Sequence, residues 1–276
     1  MRTLRTWSLL AALLAAPLAA GTTRRPAPSS PSSSRTRTLR VMSYNIHVGI
    51  GVDKRLDLRR VAEVIRRERP DLVGLQEIDR GTQRTGRVDQ IAELARLTGM
   101  HYAFAPNLNF QGGWYGVAIL SRFPLLASEH ARFRHRREAE RRGYLLAEVE
   151  INGRPLSFVT THLDHQQDDN RLFETEQLLR AVPDSPAPLV VAGDFNDEPA
   201  GESYRLMLTR FADAWAAGGA AGDGGGLTYP ADKPRKRIDY IFHAPRERTR
   251  ARRAWVVESP ASDHRALVAE IELKLD

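Results

Sequence analysis

Strand-forming segments dominate the centre of this chain, and their number constrains its fold more than any other feature. Five apolar or alternating segments follow one another over residues 101–161, and Asn152-Gly153, the strongest short hairpin signal in the sequence, separates the last two. Segments with helical periodicity lie outside this stretch, after Asp57, over residues 88–97 and over residues 169–182. Sequential strands mixed with few helices predict an α/β (α+β) fold of two packed mixed sheets flanked by helices, rather than one doubly wound sheet.

The N-terminus has the features of a signal peptide. Arg2 and Arg5 precede an apolar stretch at residues 7–20, which is shorter than the roughly 20 residues that a stable membrane span needs. Small residues at positions 19–21 suit cleavage, and an uncleaved anchor helix is the alternative. We therefore expect residues 1–21 to direct export to the periplasm or the medium, residues 22–37 to form a disordered Pro/Ser/Arg-rich linker, and residues 38–276 to form one domain.

The charge of the chain is concentrated at its N-terminus. The net charge is +7, but residues 1–37 hold six arginines and no acidic residue, which leaves 35 basic and 34 acidic residues in the domain. A near-neutral domain argues against tight nonspecific binding to nucleic acid. Three local basic clusters remain, at residues 132–142, 234–237 and 246–253; they are interpreted as solvated surface charge, with attraction of an anionic substrate as the alternative.

Polar side chains follow several predicted strands at the point where each strand ends. Such residues are Asn45, His47, Glu77, His162, Asp164, His165, Asp194, Asn196 and Asp197, with Asp263 and His264 just before the last strand. Each one alone could cap a turn. Asp239 lies within an apolar segment, and a buried carboxylate needs a partner, for which a histidine is suitable. Glu77 poses the same problem and indicates a cation.

Taken together, these residues predict a metal-dependent hydrolytic site. Carboxylates and carboxamides suit Mg²⁺ or Mn²⁺, and histidines beside them suit a phosphate group or a proton transfer. The chain has no cysteine, which excludes a thiol nucleophile and a zinc–thiolate site. It also has no serine in a nucleophile elbow and no phosphate-binding P-loop. The chemistry that remains is metal-assisted attack of water on a phosphate ester.

Seven motifs in order resemble the endonuclease/exonuclease/phosphatase superfamily. They are SYNIH, LQE, GVAILSR, THLDH, GDFND, RIDYIF and SDH, at residues 43–264. The superfamily includes pancreatic-type deoxyribonucleases, abasic-site endonucleases, neutral sphingomyelinases and inositol polyphosphate 5-phosphatases. The resemblance implies a four-layer α/β sandwich with the active site at one edge of its two sheets.

The resemblance also implies a role for each matched residue. Glu77 would be the main metal ligand, with Asn45 and Asp263. His162 would contact the scissile phosphate, Asn196 would support the transition state, and Asp194 would orient or deprotonate the attacking water. His264, held by Asp239, would bind or protonate the phosphate, and either Asp194 or His264 could be the general base. At His47 the abasic-site endonucleases carry Asp, which argues against that subgroup.

The substrate is less constrained than the reaction. A small organophosphate, a phospholipid headgroup and a nucleic acid all remain possible, as do monoester and diester substrates and one or two metal ions. A nuclease acting on extracellular nucleic acid and a non-catalytic binding module are the alternative functions. Trp114, in the segment FQGGWY, could lie at the mouth of the site, although packing within the fold is the simpler interpretation. We expect a monomer.

Overall fold

The chain forms twelve β-strands in two sheets, in a computed structural model that describes residues 36–182, 184–218 and 225–274. In chain order the strands are β1 (Thr36–Asn45), β2 (Leu72–Arg80), β3 (His101–Phe110), β4 (Gly113–Ser121), β5 (Leu125–Arg132), β6 (Gly143–Ile151), β7 (Arg154–His162), β8 (Leu189–Asp194), β9 (Ala212–Asp213), β10 (Asp239–Ala244), β11 (Thr249–Val257) and β12 (Ala266–Lys274). The first sheet has the order β11-β12-β1-β2-β4-β3 and the second β5-β6-β7-β8-β10-β9.

The described residues also form five α-helices, which connect or follow these strands: α1 (Leu58–Glu68), α2 (Gln90–Thr98), α3 (Asp168–Ala181), α4 (Glu202–Leu208) and α5 (Ala214–Ala217). The side chain of Asp57 accepts a hydrogen bond from the Arg59 N–H at the start of α1, and Asp89 caps α2 in the same way. Gly99 ends α2 in the left-handed conformation, as the sequence predicted. No helix in the described part of the chain has the length and apolar character needed to cross a membrane.

Three apolar clusters show that the architecture has four layers. The central cluster lies between the sheets and includes Val41, Phe158 and Ile241. A second cluster joins the outer face of the first sheet to α1 and α2, and a third joins the outer face of the second sheet to α3 and α4. The order helix, sheet, sheet, helix confirms the predicted sandwich.

The same arrangement of strands occupies the centre of each sheet. Strands β1 and β2 are parallel and connected through α1, and strands β7 and β8 are parallel and connected through α3. Parallel strands end at the same edge of a sheet, and this is where ligands bind in α/β proteins. Asn45, His162 and Asp194 are the last residues of β1, β7 and β8, so these strand ends supply the predicted site.

The structure corrects three sequence-based boundaries. Strand β1 begins at Thr36, which pairs with Lys274 of β12, so the predicted linker is two residues too long. Strand β2 does not stop before Glu77 but continues to Arg80. Asp239 opens β10 instead of lying within it, because β10 runs antiparallel to β8 and places Asp239 opposite Asp194. The predicted signal peptide at residues 1–21 and residues 22–35 of the predicted linker lie outside the described residues.

The two sheets lie close together near the site at Gly74 of β2. A Cβ atom at this position would lie 2.8 Å from Thr160 Oγ1 and 3.0 Å from the Ala192 Cβ on the opposite sheet. Two residues further along, Gln76 Nε2 donates a hydrogen bond of 2.9 Å to the same Thr160 hydroxyl. The space between the sheets therefore admits no side chain at position 74.

Candidate active site

All eight predicted site residues lie together at one edge of the two sheets. A cleft of about 490 Å³ opens there, and six of the residues line it: Glu77, His162, Asp194, Asn196, Asp263 and His264. Asn45 and Asp239 are buried behind the cleft, where they are hydrogen-bonded to Asp194 and His264, respectively. The topology thus assembles the site from both sheets.

Unusual backbone conformations turn several of these side chains into the cleft. Glu77 has a φ of 58°, and it lies in a β-bulge that shifts the register of β2 against β4 between Leu75 and Ile78. His47 and Asn196 also have positive φ angles, of 46° and 49°. Left-handed backbone conformations are unfavourable for residues other than glycine, and they concentrate at functional sites.

The carboxylate of Asp194 is the centre of the hydrogen-bond network. Its Oδ1 accepts from the Asn196 backbone N–H at 2.9 Å, and its Oδ2 accepts from Asn45 Nδ2 at 3.0 Å. His162 Nε2 and His264 Nε2 lie 3.5 and 3.7 Å from the same Oδ2. Burial, and then the charge of Asp239, raise the pKa of Asp194 to about 7. Asp194 can therefore exchange a proton near neutral pH.

Asp239 and His264 form a buried carboxylate–histidine pair. His264 Nδ1 lies 2.9 Å from Asp239 Oδ2, and the two residues are 5% and 0% exposed. Burial alone would lower the pKa of His264, but the carboxylates of Asp239 and Asp194 outweigh it and raise this pKa to about 10. His264 is therefore an imidazolium at neutral pH; its Nδ1–H bonds to Asp239, and its Nε2–H is left for the cleft. The predicted pairing exists in the structure.

The acidic part of the cleft, formed by Glu77 and Asp263, has the character of a cation site. Burial and the nearby charge of Glu77 raise the pKa of Asp263. Within the described residues, no Lys, Arg or His nitrogen lies within 4.0 Å of the Glu77 carboxylate, and His47 Nδ1 lies 3.7 Å from Asp263 Oδ1. Glu77 has no cationic side chain beside it and shares the cleft with a second carboxylate, which fits a divalent metal ion.

A second cluster of possible metal ligands in the site, formed by Asp194, Asp239 and His264, is less suited to a metal ion. Potential ligand atoms of Asp194, Asp239 and His264 lie within 4.8 Å of one another. However, the Asp239–His264 hydrogen bond already places a proton between two of these ligands. The side chain of Asn45 donates from Nδ2 to Glu77 and Asp194, while its Oδ1 accepts from the His47 backbone N–H. Its predicted role as a metal ligand remains a prediction.

Several residues that line the cleft were not predicted as site residues; they include Arg84, Tyr115, Arg142, Tyr229 and Lys236. Arg84 forms two hydrogen bonds with the buried carboxylate of Asp79 and lies over the ring of Tyr115. Arg142 belongs to a basic cluster interpreted as surface charge, yet it is 3% exposed and contacts His162. Trp114 does not line the cleft; Arg132 lies over its ring instead.

A model of the "Endonuclease/Exonuclease/phosphatase family" matches residues 42–264. The chain is 27% identical over 266 residues to the uncharacterized protein YbhP of Escherichia coli K12, covering 88% of this chain and 100% of the relative. A solved endonuclease/exonuclease/phosphatase structure from Beutenbergia cavernae is 26% identical, with a TM-score of 0.70 over 86% of this chain and 72% of that one. The structure of a mannosyl-6-phosphatase from Bacteroides thetaiotaomicron has the same fold at 18% identity, with a TM-score of 0.71 over 84% of this chain and 99% of that one.

Proposed function

The chain belongs to the endonuclease/exonuclease/phosphatase family, and from this premise we propose that it is an exported, Mg²⁺- or Mn²⁺-dependent phosphoesterase. Members of the family are hydrolases that act on phosphate esters. The proposal concerns the metal, the site of action in the cell and the kind of ester that this chain hydrolyses.

One observation carries the proposal: a single cleft has an acidic part and a part rich in N–H donors. Glu77 and Asp263 form the acidic part, and His162, Asn196 and His264 supply nitrogen atoms around Asp194. A divalent cation would match the acidic part, and the negative charge of a phosphate ester would match the part with N–H donors. An uncharged ester would satisfy neither part.

The electrostatics of the cleft support Asp194 as the proton acceptor. With a pKa of about 7, Asp194 can accept a proton from an attacking water molecule near neutral pH. With a pKa of about 10, His264 stays protonated and can stabilise the charge on the phosphate or donate a proton to the leaving oxygen. Asp239 holds its imidazole in place through Nδ1.

Glu77 and Asp263, with Asn45 beside them, are the residues that would hold the metal ion. The chemistry expected from a divalent cation there is neutralisation of phosphate charge and a lower pKa for a water molecule. Asn196 and His162, which both contact Asp194, would orient the phosphate.

We favour a small phosphate ester over a nucleic acid as the substrate. In the basic cluster at residues 246–253, Arg252 is paired with Glu272 and Arg253 with Glu270, so these arginines are less available to phosphates of a polyanion. A protein of the same fold is named a mannosyl-6-phosphatase, which is consistent with a small monoester. A nuclease remains the alternative that the assay must exclude.

The test is a hydrolysis panel with the purified protein. It should include sugar phosphates, bis(p-nitrophenyl) phosphate, phosphoinositides, sphingomyelin and plasmid DNA, each with Mg²⁺, with Mn²⁺ and with EDTA. We expect metal-dependent turnover of a small ester that is lost in Asp194→Ala. Turnover of plasmid DNA alone would favour the nuclease, and no turnover of any substrate would favour a binding module.

Export is a separate part of the proposal, based on the N-terminal sequence. We expect the protein recovered from the periplasm or medium to begin near residue 22. N-terminal sequencing that finds Met1 in the exported protein would contradict cleavage.

A further inference from the structure

The buried guanidinium of Arg142 contacts two histidines of the cleft. Its Nη1 lies 2.7 Å from His162 Nδ1, and its Nη2 lies 3.3 Å from His165 Nδ1. Glu140 balances its charge, with Oε1 3.0 Å from Nη1. Arg142 and His162 are each 3% exposed, so the contact between them is made away from solvent, whereas His165 and Glu140 are exposed.

The chemistry of this contact fixes the position of one proton. A guanidinium donates hydrogen bonds and accepts none. His162 Nδ1 must therefore present a lone pair to Arg142, and the single hydrogen of the neutral ring must lie on Nε2. Because the tautomer of a histidine follows from its partners, Arg142 determines that His162 offers an N–H to the cleft.

Asn196 places a second N–H beside the first. Its Nδ2 donates to the Leu163 carbonyl at 3.0 Å, which identifies this atom as the amide nitrogen, and the same atom lies 3.1 Å from His162 Nε2. With the hydrogen of His162 on Nε2, this contact brings two donors together, and the acceptor that the structure offers to Nε2–H is Asp194 Oδ2, at 3.5 Å. An oxygen on the cleft side of the two groups can accept from both.

We propose that Arg142 is a positioning residue that selects the Nε2–H tautomer of His162, so that His162 and Asn196 together donate to one oxygen of the substrate phosphate. This inference rests on the proposed phosphoesterase function for the identity of the acceptor. The tautomer itself does not depend on that function.

The first test reads the tautomer directly. Two-bond ¹H–¹⁵N correlation spectra of the ¹⁵N-labelled protein without substrate or metal should show His162 with an unprotonated Nδ1 and a protonated Nε2. The signal is assigned by its absence in His162→Gln. A protonated Nδ1 in the wild-type protein would overturn the inference, whether or not any ester is hydrolysed.

The second test changes Arg142 and compares it with its exposed neighbour Arg141. Arg142→Gln can accept a hydrogen bond from Nδ1–H, so we expect mixed tautomers and a fall in kcat of roughly 10²-fold, as for the loss of one anion-binding donor. Arg142→Lys retains a group that only donates, and should recover the wild-type tautomer and part of kcat. Arg141→Gln should leave both unchanged.

Two results of this comparison would refute a positioning role. One is a His162 tautomer that stays the same in folded Arg142→Gln while kcat falls, which would indicate a general structural effect. The other is an unchanged kcat with mixed tautomers. If no substrate is turned over by the wild-type protein, the proposed function fails while the wild-type spectrum still tests the role of Arg142.

Discussion

Asp239→Asn removes a buried charge with almost no change in shape, and it tests the pair at the centre of the site. The rise in the His264 pKa from 6.5 to about 10 corresponds to a preference for the imidazolium of roughly 5 kcal/mol. Asp239 is the largest contributor to this rise, ahead of Asp194. We therefore expect the pKa of His264 in Asp239→Asn to fall well below that of the wild type, and the neutral ring to become populated at pH 7–8.

The kinetic consequence is a large loss of turnover with little change in substrate binding. Removal of general acid–base assistance costs a factor of roughly 10² to 10⁴ in kcat. The upper pH limit of the remaining activity should move to lower pH, because His264 must then be protonated without the help of Asp239. Steady-state kinetics from pH 5 to 10 and ¹⁵N titration of His264 measure the two effects independently.

Asp213→Asn is the matched control, because Asp213 is also buried and ion-paired, with Arg237 at 2.7 Å, but does not line the cleft. It should lower stability and leave kcat near that of the wild type. The double variant Asp239→Asn/His264→Ala should be little worse than either single variant, since residues acting as one unit are non-additive. Losses that multiply, or a loss of metal affinity in Asp239→Asn, would refute the pairing argument.

Three further predictions concern the metal, the central carboxylate and a distant histidine. Glu77→Gln should abolish the increase in Tm that Mg²⁺ or Mn²⁺ gives the wild type and lower kcat by several orders of magnitude; an unchanged metal-induced shift would show that Glu77 is not a main ligand. The raised pKa of Asp194 means that its ionisation destabilises the folded state, a cost that is absent below about pH 4 and fully present above about pH 7. Asp194→Asn should therefore be more stable than the wild type by roughly 1–3 kcal/mol at pH 8 in EDTA, while it loses activity. A lower free energy of unfolding in urea would contradict this reasoning. Burial lowers the pKa of His243 to about 4, so the stability that its neutral ring contributes is complete above pH 6.5 and is lost as the pH falls towards 4. His243→Phe should therefore remove roughly 3 kcal/mol of the loss of stability in acid. The same pH dependence of the free energy of unfolding in both proteins would contradict this prediction.

The tautomer of His243 explains why its pKa is low. Thr249 Oγ1 donates to the Pro245 carbonyl and therefore accepts from His243 Nδ1–H at 2.8 Å. The other ring nitrogen, Nε2, is buried and has no hydrogen-bond partner in the described part of the chain. A second proton would thus be placed on a nitrogen without an acceptor.

Local signals in the sequence predicted most of the fold. The helix cap at Asp57, the helix end at Gly99 and the hairpin at Asn152-Gly153 are set by residues close in sequence, and the hairpin joins β6 to β7 in the structure. The family motifs predicted which strand ends meet. Asp239 was predicted to lie within a strand but is its first residue. The apolar segment is visible in the sequence, whereas its antiparallel pairing with β8, which sets where β10 begins, is not.

Long-range contacts explain what the sequence did not reveal. Arg142 lies in a run of exposed arginines, and only the folding of β7 against β6 brings His162 beside it. Nothing in the apolar run of β2 indicates that Glu77 adopts a left-handed conformation, since the bulge depends on the register with β4. Which residue of a charged segment becomes buried depends on tertiary contacts, which the local sequence does not show.

The narrow space at Gly74 gives the core a direct influence on catalysis. Asn45 and Glu77 come from one sheet and His162 and Asp194 from the other, so the separation of the sheets sets the distance between the residues for the cation and those for the phosphate. A methyl group at position 74 would press on Thr160 and Ala192 and act as a wedge beneath the cleft. Mutational drift in this part of the core is therefore limited by the dimensions of the bound ester as well as by stability.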